Sequence, residues 1–537
     1  MLSHARFVSS CRQASSLLKH KPNLTTHKSS LVNHNPKFAI RTLTTQAKSF
    51  NMSSMNAMNP KEEGDISSVF VSLSGAKPTP LPERFADIKR NLIRGHEEAV
   101  QASFTRLIEQ LAVENRKVAE SGPKIIPSVT FKDVLEKNVS DELLKDMRDK
   151  GALVIKGVLN ETTARRYKEE VEDYVKLNPS TKATGFPAND PQVYELYWSP
   201  PQVKARGHPN MIIAQKFLLS LWHSADPNSP ISSSQPVTYA DRVRIRQPGD
   251  AIFALGPHAD GGSVERWEPN GYGINGVYDT IFQGKWEEFD PFESSSRVPA
   301  VSDLYYGGGS CSMFRMFQAW LSMSHTAPGE GTLKVNPLIK LTTAYFLLRP
   351  FFEPIKELPE GKEDEYTAEY LSPENWKLIP TDQMTTALHG ATPSHGQEMT
   401  EKLHPHLDLK NTMVHIPKIN PGDYVAWHCD MIHAVDKNHA GKFDSSVLYI
   451  PACPLTPINA EALARQRDTF LSGVPGPDFP GGKGESEHIG RPGLEEVESW
   501  TGEEGLRAMG LSKFVVESEK GAGVEKAVEI GNKYLGF

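Results

Sequence analysis

Acidic residues are missing from the first sixty positions. Residues 1–60 hold eight Lys and Arg (Arg6, Arg12, Lys19, Lys21, Lys28, Lys37, Arg41, Lys48) and no Asp or Glu. The remaining chain carries 51 basic against 66 acidic residues, so the formal charge of -7 conceals a body near -15. An excess of that sign excludes binding of duplex nucleic acid or an anionic membrane through a global positive field. Cysteine is also scarce. Cys11, Cys311, Cys429 and Cys453 are too scattered for a disulfide framework or a paired-cysteine zinc site, which points to a reducing compartment. No stretch reaches the roughly eighteen consecutive apolar residues of a membrane-spanning helix. Gly307-Gly308-Gly309 lacks the Lys-Ser/Thr of a phosphate loop, and Ser310, Cys311 and Ser312 have no histidine arranged for nucleophilic catalysis.

What remains is a globular composition, 38% hydrophobic and 23% charged over 537 residues, long enough for several domains. The basic, Ser/Thr-rich residues 1–60 have the composition of a mitochondrial targeting segment. The plainer reading is a disordered tail, and initiation at Met52, Met55 or Met58 would give a cytoplasmic form. Residues 61–120 read as a linker followed by a helical extension, because Phe85, Ile88, Leu92, Phe104, Leu107 and Leu111 fit one long helix or a helical pair. Ser140 can cap a helix that Gly151 stops, Ala152–Val158 reads as a buried strand, and Asn160 opens another helix through Tyr174.

Further strands are expected at Arg242–Arg246, Met313–Ala319, Thr332–Val335, Leu341–Leu348, Tyr424–Trp427 and Val447–Ile450. Many short strands between Pro/Gly turns favour a sandwich or barrel, so the expected class is mainly β with helices. That core spans 121–455, with a polar insertion at about 350–405 suited to a lid. Residues 456–537 form a helical C-terminal extension. Trp267, Trp286 and Tyr272 read first as packing aromatics.

The chemistry concentrates around Gly256-Pro-His258-Ala-Asp260-Gly-Gly262. An imidazole and a carboxylate two residues apart on extended backbone share one face and can share one metal. The spacing alone is weak: the chain has 18 His, and His406-Leu-Asp408 repeats it. Only the first pair follows a strand and precedes two glycines that open the backbone to a ligand. A third donor is expected on a later strand, where Pro421-Gly-Asp-Tyr-Val-Ala-Trp-His428 leads by a short loop to His433. His433 is preferred because His428 lies inside the first strand of that hairpin. Two His and one Asp leave open metal positions, as in the facial triad of non-haem Fe(II) oxygenases.

These segments, with Gly151–Val158 and Gly331–Pro337, resemble the phytanoyl-CoA hydroxylase branch of the Fe(II)/2-oxoglutarate oxygenases. Arg246-Gln-Pro-Gly-Asp250, Gly256–Trp267 and Tyr449-Ile-Pro-Ala452 resemble more closely the domain-of-unknown-function 1479 family of fungi and bacteria. The likeness covers roughly residues 83–460. It implies a double-stranded β-helix, or jelly roll, with helical N- and C-terminal decorations. It also implies Fe(II) on His258, Asp260 and His433, with 2-oxoglutarate as cosubstrate. Such an enzyme couples decarboxylation of 2-oxoglutarate by O2 to hydroxylation of a small-molecule substrate.

The sequence departs from that branch after the distal histidine. A basic residue, usually Arg, is expected about ten positions on to hold the far carboxylate of 2-oxoglutarate. Here only Lys437 and Lys442 precede Pro454, with Ser445 or Ser446 able to assist. Arg244 and Arg246, on one face of an expected neighbouring strand, are the other candidates. The separation of 175 positions between His258 and His433 is also long for the branch, and the insertion supplies much of that length. A cupin-like metalloenzyme that does not use 2-oxoglutarate, and a non-catalytic metal- or metabolite-binding jelly roll, are the alternative readings.

Overall fold

Two sheets of unequal size, antiparallel except for the parallel pair Ser128–Thr130 and Ala152–Lys156, organise the protein. The computed structural model describes residues 69–74, 80–184, 192–251, 254–307, 310–359, 366–479, 481–516 and 520–537. The basic residues 1–60 and most of the linker lie outside the described residues. The eight-stranded sheet runs Ser128–Thr130, Ala152–Lys156, Tyr424–His428, Phe317–Ser322, Ser445–Tyr449, Val243–Arg246, Val193–Tyr194, Ala183–Thr184. The five-stranded sheet runs Gln397–Glu398, His258–Ala259, His433–Val435, Leu333–Val335, Val414–His415. Side chains of both sheets line one cavity of about 150 Å³.

Local signals account for the approach to the large sheet. Helices Arg84–Leu92 and Glu97–Ser121 form the expected pair, the second burying Phe104, Leu107, Ile108 and Leu111 along one stripe. Each such side chain contributes about 1.5–3 kcal/mol by leaving water. Ser140 Oγ accepts the Leu143 N–H at the start of Asp141–Lys150. Gly151 ends that helix at φ +67°, where a Cβ would lie 2.8 Å from Ile339 and Met431. Only glycine meets both demands. Ala152–Lys156 then enters the sheet with its first four residues buried, and Asn160 caps Glu161–Leu177.

Three expectations change. Leu341–Leu348 is no strand but part of the helix Ile339–Leu348, eight of whose ten residues are buried. A helix enclosed on all sides loses its amphipathic period, and a continuous apolar run does not distinguish helix from strand. The strand expected at Met313–Ala319 begins only at Phe317. Helix makes up 41% and strand 15%, so the class is mixed α/β with large antiparallel sheets rather than mainly β.

Part of the polar insertion is woven into the body. Phe352–Pro354 pairs with Trp376–Leu378, Gln397–Glu398 pairs directly with the strand that carries His258, and His404 and His406 are buried. The C-terminal helices Pro457–Ser472 and Ala522–Leu535 close a second apolar cluster around Val237, Cys453 and Leu455. All described residues belong to one contact unit, Asn59–Phe537. No helix among them is long and apolar enough to cross a membrane.

Candidate metal centre

Antiparallel pairing brings the two histidines together. His433 stands directly across from His258 between neighbouring strands, and their ring centroids are 4.1 Å apart. Asp260, two residues after His258, turns toward the same face. His258 Nε2 lies 3.8 Å from one carboxylate oxygen, and His433 Nε2 lies 3.7 Å from the other. The three ligand atoms converge closely enough to hold a metal ion.

The remaining ring nitrogens fix the tautomers. Nδ1 of His258 bonds the Gly256 carbonyl at 2.7 Å, and Nδ1 of His433 bonds the Met431 carbonyl at 3.0 Å. A carbonyl can only accept, so each Nδ1 carries the proton and each Nε2 offers a lone pair. Burial, reinforced by His258, pushes His433 down to about 3, which keeps its imidazole neutral. Burial pushes the Asp260 carboxyl upward. The histidines His258 and His433 in their protonated forms, with Arg315 and Arg266, outweigh that effect and hold it below the usual carboxylate range.

The loop bearing Asp260 is clamped through its carbonyls. Arg266 donates to the carbonyls of Asp260 and Gly262 at 2.5 and 2.6 Å, and Tyr272 donates to that of Gly261 at 2.5 Å. Gly262, at φ +95°, approaches Ser302, whose carbonyl would stand 3.1 Å from a Cβ. The glycines therefore let the backbone turn tightly, and the clamp fixes where Asp260 points. Neither Arg266 nor Phe70, whose ring packs edge-on to His258 with centroids 4.7 Å apart, is identified from sequence. Phe70 is 188 positions away along the chain, and the role of Arg266 depends on a loop shape that spacing does not encode.

The positions considered for cosubstrate separate sharply. Arg244 lines the cavity, its Nη2 3.5 Å from Ser445 Oγ and its buried Nε without a partner. Arg246 shares that strand face but is fully buried, bound to Asp250 at 2.7 Å and to the carbonyls of Asp436 and Lys437. It braces the loop after His433 and does not line the cavity. Lys442 is exposed and does not line the cavity. Ser446 donates to Asp444, because alternation turns it opposite to Ser445. Trp267 and Trp286 donate to the Leu347 and Ser103 carbonyls, the packing role expected of them.

His406 is not a ligand in such a cluster. Its Nδ1 meets the Tyr345 hydroxyl at 3.0 Å in the core, away from Asp408 on the surface side. A further His-x-Asp that pattern reading passed over, His428-Cys429-Asp430, forms a second group of clustered donors. Its Asp430 is bound to Arg297 at 2.6 Å and to the Tyr278 hydroxyl at 3.0 Å.

Comparison with known proteins places this geometry in a lineage. YbiU of Escherichia coli strain K12, an uncharacterized protein, is 28% identical over 435 residues, covering 79% of this chain and 94% of YbiU. The crystal structure of GlcNAc Inducible Gene 2, GIG2 (DUF1479), from Candida albicans is similar with a TM-score of 0.74 and 31% identity. That match covers 86% of this chain and 96% of GIG2. A Salmonella typhimurium LT2 structure, described as a candidate oxidoreductase, has a TM-score of 0.66 and 27% identity, covering 80% and 98%. The Gig2-like family model matches residues 79–511. The chain belongs to the Gig2-like family.

Proposed function

We propose that the protein is a non-haem Fe(II)/2-oxoglutarate-dependent oxygenase that hydroxylates a small organic molecule, its two sheets forming the double-stranded β-helix of such enzymes. One observation carries this reading: two buried imidazoles with Nδ1 tied to backbone carbonyls direct both free Nε2 atoms at the Asp260 carboxylate. Two nitrogens and one oxygen on one side of a cavity suit Fe(II) and leave positions for cosubstrate and O2. When bound, the iron supplies O2 activation coupled to decarboxylation of 2-oxoglutarate.

The chain's own residues have separate tasks in this reading. Arg244, aided by Ser445, holds the far carboxylate of 2-oxoglutarate, replacing the basic residue that sequence expectation put after His433. Arg266 and Tyr272 keep Asp260 in place through the carbonyls of its loop. Phe70 and Trp427, the latter with its ring centroid 5.2 Å from that of His433, exclude water around the imidazoles. The address carried by residues 1–60 is mitochondrial in the same proposal, and fusing them to a fluorescent protein tests it separately.

Anaerobic addition of Fe(II) and 2-oxoglutarate is expected to give a visible charge-transfer band that is lost in His258→Ala and Asp260→Ala. Folded wild-type protein without the band would sink the oxygenase reading. O2-dependent succinate release separates it from a cupin-like metalloenzyme.

A further inference from the structure

Three arginines line the cavity, and they differ in what neutralises them. Arg242 has Asp241 at 3.4 Å and Glu195 at 3.8 Å. Arg244 is assigned above to the cosubstrate. Arg315 has neither a hydrogen bond nor an ion pair among the described residues, and its closest ring contact is Tyr239, 5.4 Å from guanidinium to centroid. It is half-buried, with its open side on the cavity.

The cavity's carboxylates do not supply the missing charge once metal is present. Asp241 is engaged by Arg242. Glu265 accepts the Ser263 N–H at 2.7 Å and the Leu304 N–H at 3.3 Å, and it lies in the field of Arg266. Asp260 and the Arg242-bound Asp241 both attract Arg315 across the cavity, neither within ion-pair distance. With Fe(II) bound, the Asp260 carboxylate is committed to the metal. Two positive charges on iron are then offset by Asp260 and the near carboxylate of 2-oxoglutarate, and Arg244 is offset by the far one. Arg315 is left positive and poorly hydrated, which is costly in a cavity of low dielectric.

We infer that Arg315 docks an anionic oxygen group, a carboxylate or a phosphate, on the primary substrate, so that the enzyme acts on an acid rather than on a neutral molecule. The inference rests on the oxygenase reading. A planar guanidinium with free N–H groups accepts two oxygens at once, fixing the orientation of the acid beside the metal as well as its presence.

The test uses the full chain loaded anaerobically with Fe(II) and 2-oxoglutarate, and reads both calorimetric Kd and the shift of the charge-transfer band. Probes are acetate, benzoate and phenyl phosphate against acetamide, benzamide and phenol. Carboxylates and phosphate bind through separate arms, so the preferred acid class is identified. At least one acid is expected to bind at least about tenfold more tightly than its neutral partner, and Arg315→Met to erase that preference while changing the 2-oxoglutarate Kd less than about twofold. Arg315→Lys, which keeps the charge but loses the fork, is expected to restore part of the preference. Equal or absent responses to acids and neutral probes overturn the inference. So does an Arg315→Met protein that loses 2-oxoglutarate while Arg244→Met retains it. Absence of the wild-type band is a different failure, that of the oxygenase reading itself.

Discussion

His258-Ala-Asp260 and His428-Cys-Asp430 have the same spacing, and each sits in a buried cluster of donor atoms. They have opposite chemical prospects. Around His428 every strong donor has a protein partner: Nε2 bonds the Pro291 carbonyl at 2.9 Å, and Nδ1 accepts the Asp430 N–H at 3.1 Å. Asp430 is paired with Arg297, both side chains almost wholly enclosed. Around His258 the backbone takes only Nδ1, and the Nε2 atoms face one another and a carboxylate across a cavity. What separates the two clusters is therefore lone pairs left without a protein partner, not residue type or spacing.

The largest difference between the clusters should appear on deleting a histidine. His433→Ala is expected to weaken Fe(II) binding by more than about a hundredfold, since even supporting residues around metal ligands cost 10–100-fold. His428→Ala should leave metal stoichiometry unchanged and lower stability instead. Metal titration with denaturant unfolding of both variants checks this, and loss of iron in His428→Ala would remove the distinction.

Asp430→Asn is the next largest, and it probes the second cluster as a structural ion pair. Leaving Arg297 buried without its countercharge is expected to cost about 3–5 kcal/mol. The effect has a pH signature. Burial pushes the Asp430 carboxyl up, but Arg297, His428 and Arg266 outweigh it and hold the group far below the usual range. The unfolded chain thus takes up the proton first. The stabilisation is complete above about pH 4 and is lost as pH falls from there toward the folded-state value. Unfolding midpoints should accordingly decline less steeply with acid in Asp430→Asn than in wild type. Parallel acid limbs would contradict the pairing as the source.

Strand alternation and the paired glycines report which face a side chain takes, and that is why His258, Asp260 and His433, which cluster in the fold, could be grouped from sequence. Alternation does not report depth: Arg244 and Arg246 share a face, yet one lines the cavity and the other is held by Asp250 and two carbonyls. Pattern reading does not register His428-x-Asp430 as another such pair, and the partners that occupy it, Pro291, Arg297 and Tyr278, come from the distant segment 278–297. Arg315 stands just before its strand, where no period applies, and it gains meaning only from the cavity that other elements enclose. The helix Ile339–Leu348 was misread for a related reason: complete burial removes the pattern that would separate 3.6 from 2 residues per repeat.

The two clusters also differ in how they are covered, and this gives the smallest expected effect. His428 lies within the core, its ring stacked on Trp222 at 4.7 Å and edge-on to Phe292. His258 is covered by Phe70, which belongs to a short segment tied, among the described residues, to Gly396 and Glu398. The Gly396 N–H bonds the Val69 carbonyl at 2.8 Å, and the Ser72 N–H bonds Glu398 at 3.1 Å. Glu398 is itself the cross-strand neighbour of His258, so the cover is fastened to the strand it shields. A cover fastened to a strand edge can lift while both sheets stay paired. Phe70→Ala is expected to speed removal of Fe(II) by a chelator several-fold while shifting the unfolding midpoint less than Asp430→Asn does. Stopped-flow chelation measures the rate; if it is unchanged, iron leaves by another route, and the cover over His258 is packing of the same kind as Trp222 over His428.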